Sequence, residues 1–68
     1  MSTETVMRDN IITAIRQMRA DGATGASLEC LKQCTSTRGL MCSKAEYERV
    51  FDEQAREVAK RLRFTLCK

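Results

Sequence analysis

Histidine is absent from the 68 residues, and with it the commonest general base of enzymes. Proline and tryptophan are absent too, and glycine occurs only at positions 22, 25 and 39. All-β domains draw heavily on such turn residues, whereas helices joined by short connections do not. The only aromatics are Tyr47, Phe51 and Phe64, so the core has to be built mainly from aliphatic side chains. No apolar run approaches the ~20 residues of a membrane-spanning helix, and the chain holds no GxGxxG fingerprint, P-loop or HExxH motif. These absences predict no enzyme, no cofactor and no membrane partner. No basic start followed by an apolar stretch marks a secretory leader. The expected compartment is therefore the cytoplasm, where thiols stay reduced.

What is present is the make-up of one small folded domain spanning residues 1–68, with 43% hydrophobic and 31% charged residues. A chain this short buries only about 60% of the surface its unfolded form exposes, so its stability is marginal. The net charge of +3 is unevenly spread. Residues 30–45 carry Lys32, Arg38 and Lys44 and no acid at all. Residues 46–57 are net acidic, and the end of the chain is basic through Lys60, Arg61, Arg63 and Lys68. Such blocks permit a nucleic-acid contact without requiring one.

Hydrophobic spacing predicts three helices, over about 3–20, 27–35 and 43–63, in an all-α domain. In the first, Met7, Ile11, Ala14, Ile15 and Met18 recur at three- and four-residue steps. Arg8, Asp9, Arg16, Gln17 and Arg19 are expected on its outer side. Ser2 or Thr3 can cap its start, and Asp21-Gly22 is a stop signal, because glycine takes the left-handed conformation that follows a helix. The second helix follows a small-residue connection, Gly22 to Ser27, with Leu28, Leu31 and Cys34 expected inward. The third begins with Ser43-Lys44-Ala45-Glu46, which fits the capping-box pattern. Tyr47, Val50, Phe51, Gln54, Ala55, Val58, Ala59 and Leu62 then form its stripe, and Asp52/Arg56 and Glu57/Arg61 are helix-favouring i,i+4 pairs. The tail 64–67 fits either an extension of this helix or a short strand.

Four cysteines stand at 30, 34, 42 and 67. Four thiolates are enough for a tetrahedral zinc site, but the spacing lacks paired C-x2-C knuckles and there is no histidine to help. Disulfides need an oxidising compartment. The reading preferred on pattern is that the thiols are free and act as small hydrophobes in helix contacts, with metal binding the least favoured of the three.

The order from Ile11 to Arg49 resembles the helix-turn-helix and winged-helix DNA-binding domains. A helix through Ile11, Ile12, Ile15 and Met18 is followed by the turn Asp21-Gly22-Ala23-Thr24, then Leu28-Glu29-x-Leu31, a polar turn and a capped helix from Ser43. The resemblance covers about 40 residues and rests on order and spacing. It implies that the third helix meets the major groove with its N-terminal residues. The positions it implies for DNA contact are Ser43, Lys44, Glu48 and Arg49 at the start of the third helix, with Lys32, Arg38 and the hydroxyls of Thr35, Ser36 and Thr37 toward phosphates. Lys60, Arg61 and Arg63 form a second basic patch. The turn over residues 35–42 is longer than the 3–4 residues usual in the motif.

A small DNA-binding regulatory protein of helix-turn-helix type, with double-stranded DNA as partner, is the expectation that follows. The alternative is a helical protein–protein interaction module, an adaptor or inhibitor of the size common among proteins of mobile genetic elements. It would dimerise or seat on a partner through Tyr47, Phe51, Val58 and Leu62 of the third helix.

Overall fold

The computed structural model describes residues 2–67; Lys68, counted above in the basic end of the chain, lies outside them. Helix α1 spans Thr3–Ala20. Ser2 caps it, its Oγ accepting from the Thr5 amide at 3.2 Å. Its far end closes as a Schellman motif. Gly22, at φ +94, donates to the Arg19 carbonyl, and the Ala23 amide reaches back to Met18 at 2.9 Å. The Asp21-Gly22 stop is thus where the spacing predicts it.

Helix α2 covers Leu28–Cys34, capped by Ser27, and α3 covers Lys44–Arg61, capped by Ser43, whose Oγ accepts from the Glu46 amide at 3.2 Å. Helix α3 therefore stops two residues short of the predicted 63. It too closes as a Schellman motif, with the Phe64 amide on Ala59 at 2.8 Å and the Arg63 amide on Lys60 at 3.3 Å. Here the left-handed position belongs to Arg63, at φ +56, rather than to a glycine. The apolar contact that accompanies such motifs is supplied by Ala59 and Phe64, both buried. Arg63 therefore holds a backbone conformation that side chains other than glycine resist, stabilised by the burial of its neighbour.

The domain is not all-α. Strands β1 (Gly25–Ser27) and β2 (Thr65–Cys67) pair in parallel, with Gly25 opposite Thr65, Ala26 opposite Leu66 and Ser27 opposite Cys67. The Thr65 amide extends the pairing to the Thr24 carbonyl at 3.1 Å. Gly-Ala-Ser has little strand propensity, and the pairing is set by close approach instead. A Cβ on Gly25 would stand 2.7 Å from the Thr65 carbonyl oxygen and 2.9 Å from its Cβ. Gly25→Ala should accordingly cost about 1–3 kcal/mol through overpacking against backbone. In thermal unfolding that is a fall of at least about 4 °C for a domain of this size.

The core is one aliphatic cluster with two aromatics. Met7, Ile11 and Ile15 of α1 face Phe51, Ala55 and Val58 of α3, and Leu31 and Phe64 close the ends. Gln54, part of the predicted stripe, is buried and satisfied: its Oε1 accepts from Arg8 Nε at 2.9 Å. Arg8 is thereby drawn into the seam between α1 and α3, not the outer side expected of it. A buried amide attracts the nearest long donor, which spacing along α1 does not reveal.

Candidate nucleic-acid interface

Between α2 and α3 runs the loop 35–43, and it is pinned to the body of the protein. Thr35, buried, donates its hydroxyl to the Leu31 carbonyl at 2.6 Å. From α1, Asn10 Nδ2 donates to the carbonyls of Ser36 and Arg38 at 3.0 and 3.3 Å. The Arg38 amide donates to Ser36 Oγ at 3.1 Å, and the Leu40 amide to the Thr37 carbonyl at 3.1 Å. Gly39, at φ +84, supplies the turn, and Leu40 packs against the core. Asn10 is the residue that sequence reasoning missed: nothing in its spacing distinguishes an outward asparagine from one that bonds a loop 26 residues away.

The backbone bonds leave the Arg38 side chain exposed, along with Ser36, Thr37 and Met41, the last at 94% exposure. Ser43 is exposed while serving as the α3 cap, and Lys44, exposed, is the first residue of α3. Arg49 is exposed on the same helix. None of Arg38, Lys44 and Arg49 makes an ion pair among the described residues, which concentrates three free cations on the loop and the first turns of α3.

Lys32 is differently placed. Its Nζ lies 3.3 Å from Glu48 Oε1 and 5.8 Å from the centre of the Tyr47 ring, which stacks in turn on Phe51. The ion pair is partly solvated and worth only about 0–1 kcal/mol, but it offsets the charge of Lys32 toward a phosphate. Of the second basic patch, Lys60 and Arg63 are exposed, and Arg61 is paired with Glu57 at 3.0 Å. Along the outer side of α3, Lys44, Arg49, Arg56, Lys60 and Arg61 are balanced by Glu46, Glu48, Asp52, Glu53 and Glu57. The charges along α3 therefore cancel in sum, whereas Arg38 lies in a loop that carries no acid.

The residues expected to meet a protein partner divide in two. Phe51 and Val58 are 1% and 3% exposed and belong to the core, while Tyr47 and Leu62 are half-buried beside it. Helix α1 covers the stripe, so this face is closed within one chain.

The cysteines differ from the expectation that they fill helix contacts. Cys30, Cys34 and Cys67 are exposed and Cys42 is half-buried, and all four are free. The inward line of α2 runs through Leu28, Leu31 and Thr35, which turns Cys34 off the core. Among the described residues no group of three or more His, Cys, Asp or Glu is placed to hold a metal ion, so a four-thiolate zinc site does not assemble. A dent lined by Leu28, Arg56, Leu66 and Cys67 has a volume of about 30 Å³, room for roughly one water. Among the described residues no helix is long and apolar enough to cross a membrane. Comparison with family models, curated proteins and solved structures gave no match.

Proposed function

We propose that the protein is a small DNA-binding regulatory protein of helix-turn-helix type, meeting duplex DNA through the loop 35–43 and the first turns of α3. The observation that carries this reading is the acid-free stretch 30–45, which presents Arg38 from a loop held in place by Asn10 and Lys44 from the first turn of α3. A preformed loop loses little conformational freedom on binding. The hydroxyls of Ser36 and Thr37 and the α3 N-terminus add groups suited to phosphate oxygens. The order of helices supports the same reading. The alternative, a protein-binding module using the α3 stripe, loses its main support because Phe51 and Val58 are enclosed by α1.

The test is fluorescence anisotropy on mixed-sequence duplex DNA over a range of salt. Three free cations, Arg38, Lys44 and Arg49, predict a log–log slope of about −2.7, since each neutralised phosphate contributes about −0.9. Glu48→Gln releases Lys32 and should steepen the slope to about −3.6. Absence of binding at low salt would refute the proposal, and a slope unmoved by Glu48→Gln would remove Lys32 from the contact.

A further inference from the structure

Cys30 and Cys34 stand one helical turn apart on α2, both exposed and both free. Leu31 is the buried residue of that helix, so packing accounts for neither thiol, and the proposed DNA contact uses neither. Helical positions i and i+4 have Cβ atoms roughly 5–6 Å apart. A disulfide needs Cβ atoms about 3.5–4.5 Å apart, so joining the two sulfurs directly requires part of α2 to unwind. A bridging ion does not. Two metal–thiolate bonds of about 2.3 Å in line span roughly 4–5 Å between sulfurs, a separation matched to side chains at this spacing.

Ligand number and charge narrow the ion further. With no group of three or more ligating residues among those described, the site offers two donors, both thiols. Thiolates favour soft ions such as Cu(I) over the oxygen-seeking divalent cations. Two thiolates around a monovalent cation leave a net charge of −1, and Lys32, on the same helix two residues from each thiol, is a cation shared with Glu48.

We infer that Cys30 and Cys34 form a two-coordinate bis-thiolate site for a soft monovalent cation of the Cu(I) class. On binding, each S–H bond gives its proton to solvent and each sulfur forms one bond to the ion. No electron is transferred, and two protons are released per ion when both thiols start protonated.

The inference is tested by anaerobic titration with Cu(I) delivered from bicinchoninate, alongside sedimentation. The wild type and the Cys42→Ser/Cys67→Ser variant should each take one ion per chain without a change of oligomeric state. Cys30→Ser and Cys34→Ser should each weaken binding by at least about 100-fold, the loss expected when an intramolecular second ligand is removed. All four chains should keep the same helical circular dichroism, because the exchanged side chains at 30 and 34 are exposed. Equal affinity in the wild type and both single variants overturns the inference. So does loss of the ion on changing Cys42 and Cys67, or one ion shared between two chains.

Discussion

Replacing Phe51 with aspartate should leave the chain unfolded. Phe51 is the largest fully buried side chain, and its ring lies in the cluster that joins α1 to α3. Truncating such a phenylalanine to alanine costs about 3–5 kcal/mol. A carboxylate in the same place adds the cost of an unpaired buried charge. Typical stability for 68 residues is only about 3–10 kcal/mol, so the substitution removes most or all of it. Loss of helical circular dichroism with no oligomer in the wild type is the expected result. A variant that stays folded but changes its sedimentation would place Phe51 between chains and revive the protein-partner reading. Leu62→Asp serves as a graded comparison: Leu62 is half-buried, so it should lower the melting temperature without abolishing the fold.

The same cluster explains which parts of the structure are legible in the sequence. Helices α1 and α3 are local objects: their caps, their apolar steps and the Asp21-Gly22 stop all lie within a few residues of what they control. The β1–β2 pairing joins Gly25 to Thr65, and the approach depends on an absent side chain. Nothing in three small residues announces a partner 40 positions away. The Schellman end of α3 is hidden for a related reason, because its left-handed residue is an arginine fixed by the burial of Phe64. The candidate site divides along the same line. Arg38, Lys44 and Arg49 are exposed, as solvated positions in a polar loop and on an outer helix face should be. The Lys32–Glu48 pair bridges two helices and required the packing of α2 on α3 to be known. Asn10 likewise acts only through the loop that the fold lays against it.

Reversing Arg38 and Lys44 to glutamate should remove DNA binding while sparing the fold. Both residues are exposed and neither side chain makes a hydrogen bond or ion pair among the described residues, while the Asn10 bonds go to the backbone carbonyls of Ser36 and Arg38, which the substitution keeps. A glutamate at position 44 falls in the first turn of α3, where the helix dipole favours a negative charge. The variant should therefore melt no lower than the wild type. Each lost phosphate contact weakens binding about 8-fold at 0.1 M salt, so two cost about 60-fold before any repulsion by the new carboxylates, and the salt slope should fall to about −0.9. Arg16→Glu/Arg19→Glu makes the same change in net charge from exposed positions on α1, away from the loop. If affinity depends on the loop, that variant should lose far less than the Arg38/Lys44 pair. Equal losses in the two variants would mean that DNA senses only the overall charge of the protein, and the loop would revert to a solvated connection between α2 and α3.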